Sequence, residues 1–121
     1  MRNYITMKLP LPEKLSLNTA LRKNRFWLNE KKNTYNMYML EFIRNNHIEP
    51  IKEKDYPVDV EYIFTFKGKT IDSTNCFFMA KLIEDGLRHT SFLKDDDLRY
   101  VTSSKAIVKK GELDEVEIII L

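Results

Sequence analysis

The stretch that decides the fold is "VDVEYIFTFKGKTIDSTNCFFMAKLIEDGL", residues 58–87. From Val58 to Phe66, apolar side chains alternate with polar ones, which is the period-two pattern of a strand with one buried face. "KGK" interrupts this pattern, and residues 72–75 are four consecutive residues that favour the N-cap of a helix. The helix that follows carries an apolar side formed by Phe78, Met79, Leu82, Ile83 and Leu87. The stretch therefore predicts a strand that leads into an amphipathic helix.

The same rules place the other elements on either side of this stretch. We predict further strands at residues 5–9, 98–108 and 116–121, and a second helix at residues 32–46. Residues 13–31 are predicted as a basic connection with a short strand near Phe26 to Leu28. The predicted fold class is α+β in the order β-α-β-α-β-β, with two helices packed on a small mixed sheet. In it, strand 58–66 and the last two strands form an antiparallel hairpin system.

Length and composition limit the class of protein. A chain of 121 residues with 43% hydrophobic content fits one globular domain, residues 1–121. The single cysteine, Cys76, excludes an internal disulfide and a cysteine-clustered zinc site. It also fits a reducing compartment, so a cytoplasmic location is expected. No apolar run approaches the roughly 20 residues of a membrane span, so no membrane partner is expected.

Charge is distributed unevenly along the chain, although the net charge is only +2. Residues 1–54 hold 11 Lys and Arg against 5 Asp and Glu, whereas residues 55–121 hold 9 against 13. The densest basic stretch contains Lys14, Arg22, Lys23, Arg25, Lys31 and Lys32. Such asymmetry is typical of a surface that binds an anionic partner, and ordinary solvated surface is the alternative.

Acidic residues occur at two predicted element boundaries. Asp72 stands where a strand and turn become a helix, and Asp95, Asp96 and Asp97 stand where a loop enters a strand. Carboxylates from separate segments that converge in space are the ligands that Mg²⁺ prefers. Such an ion can activate water and stabilise charge on a phosphodiester. The alternatives are a simple helix cap at Asp72 and a solvated turn at the three consecutive aspartates.

Two segments together carry a family resemblance. "IDSTNCFFMAKLIEDGL" and, after a short gap, "FLKDDDLRYV" resemble the RusA family of Holliday-junction resolvases. The family has an Asp-x-Asp-Asn turn, a helix with a Lys and an Asp-(Gly/Ala)-Leu ending, and a second turn with an Asp pair. Asp72, Asn75 and Lys81 match the first turn and the helix, and Asp95 and Asp96 match the second turn. The remainder of the chain is compatible, so the resemblance covers nearly its whole length.

The resemblance implies a homodimeric endonuclease that binds four-way DNA junctions and cuts them with Mg²⁺ or Mn²⁺. On this basis Asp72 and Asp96 are the metal-binding and catalytic carboxylates, and Asp95 is a further ligand. Lys81 is the catalytic cation that stabilises developing negative charge. The phosphate-binding residues would be Arg22, Lys23, Arg25, Lys31 and Lys32.

One position departs from the family pattern. Thr74 stands where the family has its second aspartate, and a hydroxyl is a weaker, uncharged ligand. Thr74 and Asn75 are therefore either metal ligands or turn residues only. The substitute carboxylate would be Asp95, Asp97 or Glu61 on the neighbouring strand. Two other functions stay open: a protein that binds branched DNA without cutting it, and a small phage-type regulatory or interaction protein.

Overall fold

A computed structural model of the chain describes residues 5–95 and 97–121. These residues form one four-stranded mixed sheet and three α-helices, which confirms the α+β class. The strands are β1 (Ile5–Pro10), β2 (Val58–Phe66), β3 (Val101–Lys110) and β4 (Glu115–Ile120). The helices are α1 (Leu17–Ala20), α2 (Arg25–Asn45) and α3 (Ser73–His89), and a short 3-10 turn covers Glu53–Asp55.

The sheet has the strand order β1-β4-β2-β3, in which β2 pairs parallel with β3 and antiparallel with β4. The predicted hairpin of the last two strands is wrong, because β2 lies between them. Their short connection passes the end of β2, where the Gly111 amide donates to the Phe66 carbonyl at 3.1 Å. The Lys67 amide in turn donates to Asp114 Oδ1 at 2.9 Å. These bonds hold β3 and β4 on opposite sides of β2.

The core lies on one face of this sheet. Along β2 every second side chain is buried, and the hydroxyl of Tyr62 on that buried face donates to Glu84 of α3 at 2.8 Å. Because side chains alternate across a strand, Glu61 and Ile63 lie on the other face, where they are partly exposed. α3 therefore packs on the face that carries Tyr62, as its apolar side predicts.

α2 begins seven residues before the predicted start at residue 32, and the predicted strand near Phe26 to Leu28 is wrong. Asn24 caps the helix, since its side-chain oxygen accepts from the Trp27 amide at 3.0 Å. The Trp27 ring stacks on Phe78 of α3 with the ring centroids 6.0 Å apart. With α1 also present, the order of elements is β-α-α-β-α-β-β and not β-α-β-α-β-β.

α2 and α3 run in the same direction. Trp27 in the first turn of α2 meets Phe78 near the start of α3, and Met39 farther along α2 meets Gly86 near the end of α3. A Cβ atom on Gly86 would lie 2.8 Å from Met39 Cγ, so the glycine allows the close approach. The N-termini of both long helices consequently lie at the same end of the molecule.

Candidate functional site

Asp72 is the N-cap residue of α3, and its carbonyl accepts from the Cys76 amide at 3.0 Å. Its side chain is exposed and makes no capping hydrogen bond within the described residues. A carboxylate at this position interacts favourably with the positive end of the helix dipole. Burial, and then the Asp72 charge, raise the pKa of the Cys76 thiol to about 11. Cys76 is thus a buried thiol that stays protonated near neutral pH.

Asp95 and Asp97, the described residues of the acidic turn, lie beyond the other end of α3. Asp95 forms an ion pair with Arg88 in the last turn of that helix, with 3.7 Å between Arg88 Nη1 and Asp95 Oδ1. Asp97 accepts from the guanidinium of Arg99 at 2.8 Å, and this hydrogen bond lowers the pKa of Asp97. Asp96, the predicted principal ligand, lies outside the described residues.

Two independent observations separate Asp72 from the acidic turn. Sixteen residue steps of helix lie between Asp72 and Arg88, which is a distance of about 24 Å. In the sheet, the Asp97 carbonyl accepts from the Val101 amide beside the start of β2, whereas Asp72 follows the end of that strand. Asp72 and Asp95 therefore stand at opposite ends of α3 within one chain.

Lys81 lies between these two ends. Its ammonium pairs with Asp85 one turn farther along α3 at 3.2 Å. Nine residue steps from Asp72 correspond to about 13 Å along the helix axis. The structure thus places the predicted catalytic lysine beside Asp85, and the Asp72 carboxylate lies about two and a half helical turns away.

The other proposed ligands around Asp72 have different surroundings. Thr74 is exposed in the first turn of α3. The side-chain oxygen of Asn75 accepts from the Asn18 amide of α1 at 3.0 Å, so it ties α1 to α3. Glu61 lies on the face of the sheet opposite to α3 and cannot supply the missing carboxylate there.

The predicted DNA-binding residues lie near the N-terminal ends of α2 and α3. Arg22, Lys23, Arg25 and Lys32 are all exposed. The Arg22 guanidinium donates to the carbonyl of Asn18. The amide of Asn18 in turn donates to Asn75, which lies three residues after Asp72 at the start of α3. Lys31 differs, because its side chain is only 12% exposed and pairs with Glu13 at 2.6 Å. The hydrogen bond to Glu13 raises the pKa of Lys31.

A pocket of about 470 Å³ opens beside Asp72, between α1 and the loop that precedes α3. Two lysines from distant parts of the chain meet there, since the Lys14 ammonium donates to the Lys69 carbonyl. The Lys14 nitrogen also lies 4.8 Å from the centre of the Phe66 ring. The lining of the pocket therefore includes two lysines and one aspartate. The sequence alone gave no signal that Lys69 joins Lys14.

The described residues of one chain do not form a carboxylate-held Mg²⁺ or Mn²⁺ site. Over residues 5–95 and 97–121, no three His, Cys, Asp or Glu side chains are grouped closely enough to share a metal ion. A hard cation binds its oxygen ligands at about 2.0–2.6 Å, a requirement that the two ends of α3 cannot meet together. In the same part of the chain, no helix combines the length and apolar character needed to cross a membrane.

Comparison with known proteins adds no relative: no protein-family model matches the chain, and no curated protein matches it in a sequence search.

Proposed function

We propose that this protein binds branched DNA, with a four-way junction as its substrate, through a basic end made by α1, the start of α2 and the loop before α3. The observation that carries the proposal is the shared direction of α2 and α3. Because both helices point their N-termini to this end, two positive dipole ends add to the charges of the nearby cations. These cations are Lys14, Arg22, Lys23, Arg25 and Lys69.

Cleavage is the second part of the proposal, and it requires two copies of the chain. The likeness to RusA-type endonucleases implies a homodimer and a metal-dependent hydrolysis in the cytoplasm. Since Asp72 and the acidic turn occupy opposite ends of α3, we propose that Asp72 of one copy meets the acidic turn of a second copy. A two-fold axis that brings Asp72 of one copy to the acidic turn of the other also brings the second Asp72 to the first acidic turn. The dimer then has two equivalent sites.

Binding without cleavage is the second candidate function. It is favoured by the lack of any three-acid group within the described ranges 5–95 and 97–121, and by Thr74 where the family has an aspartate. In this case the basic end alone would account for the biological role.

One experiment separates these functions. A labelled four-way junction is incubated with the protein in the presence and absence of Mg²⁺ or Mn²⁺. Cut junction supports the nuclease, retarded but intact junction supports the binding protein, and the absence of any interaction refutes both. The last result would favour the regulatory or interaction protein.

The location of the DNA surface is tested by a triple substitution. Replacing Arg22, Lys23 and Arg25 by alanine should reduce the magnitude of the negative slope of log K against log salt by about 2.7. Each phosphate contact contributes about 0.9 to that magnitude on duplex DNA. A matched control replaces three exposed lysines elsewhere, namely Lys54, Lys105 and Lys109. An equal loss of slope in the control would show that the binding is nonspecific charge attraction.

A further inference from the structure

Two large apolar side chains are exposed inside the most basic segment of the chain. Leu21 is 74% exposed and Phe26 is 84% exposed. Arg22, Lys23 and Arg25 lie between them in the sequence, and all three are exposed as well. Single exposed apolar side chains are common on proteins, but two of them set among three cations form a mixed apolar and basic surface of the kind that binds a partner.

The exposure of Phe26 is fixed by the start of α2. Phe26 is nine residues before the buried Tyr35, which places it on the opposite side of the helix at 100° per residue. Its neighbour Trp27 faces inward and stacks on Phe78. The cap at Asn24 fixes the first turn that presents both rings. Phe26 therefore projects outward from a helix that is capped at its start and packed against α3.

The surrounding charges identify the chemistry of the partner. The cations suit phosphates, and an exposed aromatic face such as that of Phe26 suits the face of a nucleic-acid base. In a continuous duplex each base face is covered by its neighbours, whereas at a branch point the stacking is interrupted. The carboxylates of an acidic protein would pair with the same cations, but they would not stack on an aromatic ring that projects between them.

We infer that Phe26 stacks on an unstacked base at the branch point, with Leu21 covering the edge of that base, and that this contact distinguishes branched DNA from continuous duplex. The inference rests on the proposed function and deepens it, because it assigns structure selectivity to one side chain. The cations supply affinity for any DNA, and the ring supplies the preference for a junction.

The test compares wild type with Phe26→Ala and Phe26→Tyr on two probes: a four-way junction with a fluorescent adenine analogue at the branch point, and a linear duplex of the same sequence. Loss of one base stack should weaken junction binding by about tenfold. Duplex affinity and the salt slope should stay unchanged. Phe26→Tyr should retain the wild-type preference, because it keeps the ring. Met37→Ala is the matched control, since Met37 is also on α2 and is 57% exposed.

The outcomes are distinguishable. Junction binding that survives Phe26→Ala undiminished, or an equal loss on junction and duplex, overturns the inference and leaves the proposed function standing. Wild-type protein that binds neither probe overturns the proposed function and the inference with it. Equal loss in the Met37→Ala control also overturns the inference, because it would assign the effect to general apolar surface.

Discussion

Asp72→Asn and Asp96→Asn, prepared as separate variants and then mixed, test whether a cutting site draws its carboxylates from two copies. Each variant alone lacks a carboxylate in every site, so each should bind a junction without cutting it. In a mixed dimer with shared sites, one site carries both substitutions and the other carries neither. Mixing should therefore restore cleavage that neither variant has alone.

The expected size of the effect follows from α3 and from dimer symmetry. About 24 Å of helix between Asp72 and Arg88, which pairs with Asp95, is too long for ligands that must each approach one cation to about 2.0–2.6 Å. Random exchange of subunits makes about half of the dimers mixed, and each mixed dimer has one intact site of two. Nicking should therefore recover to about a quarter of the wild-type rate.

The assay unfolds and refolds the two variants together, then counts nicks in a junction with one labelled strand. Wild type and each single variant, treated in the same way, are the controls. If the mixture stays inactive while treated wild type cuts, both carboxylates act within one chain and the shared site is refuted. If wild type itself does not cut under any metal condition, the nuclease part of the proposal is refuted.

Three further predictions concern helix packing, the thiol and the departure from the family pattern. Gly86→Ala should lower the free energy of unfolding by about 1–3 kcal/mol in urea denaturation, because the new methyl group overlaps Met39; Gly68→Ala, with nothing within 4 Å, should be close to neutral. Cys76, with its pKa raised to about 11 from the usual 9.0, should react with a thiol reagent near pH 8 only when the chain unfolds. Its contribution to stability is present below the usual pKa and is lost as the pH rises towards about 11, which pH-dependent denaturation would measure. Thr74→Asp should stabilise α3 by about 0.3–1 kcal/mol through the helix dipole and, if a shared site exists, lower the metal concentration needed for cleavage.

The parts of the fold that the sequence predicts are those whose pattern is complete within one segment. β2 has bounds Val58–Phe66, as predicted, because the alternation of apolar and polar side chains over nine residues indicates a strand and not a helix. α3 follows from its apolar side and from the cap residues before it. In both cases the side chains that face the core are spaced by the geometry of the element itself.

The start of α2 could not be predicted in this way, since residues 25–34 are mostly polar and give a weak helical pattern. The stacking of Trp27 on Phe78 joins residues 51 positions apart and helps to hold this region as helix. The order of strands has a similar cause. The pattern of β4 fits a neighbour on either side, and the order is set by contacts between distant segments, in which β2 pairs with β3 along one edge and with β4 along the other.

The geometry of the candidate site could be predicted from the sequence even less completely than the strand order. Local spacing selected Asp72 and Asp95 as acidic residues at element boundaries. Asp72 is at such a boundary, whereas Asp95 lies within the loop between α3 and β3, because β3 begins at Val101 and not at residue 98. Their separation depends on which end of the sheet each boundary occupies, and residue spacing alone leaves that undecided. Because β2 and β3 are parallel, the crossover through α3 must return the chain to the starting end of the sheet. Asp72 therefore begins the crossover and the acidic turn completes it.

The same crossover sets the geometry of any dimer that joins the two acidic ends. If Asp72 of one copy meets the acidic turn of the other, the two copies of α3 must run antiparallel about the two-fold axis. The two sites are then separated by roughly the length of the helix, about 24 Å. This is less than one turn of B-DNA, which is about 34–36 Å. Two cuts placed so closely across a two-fold axis suit strands that exchange at one branch point. In such a dimer, the length of α3 would set the distance between the two proposed sites.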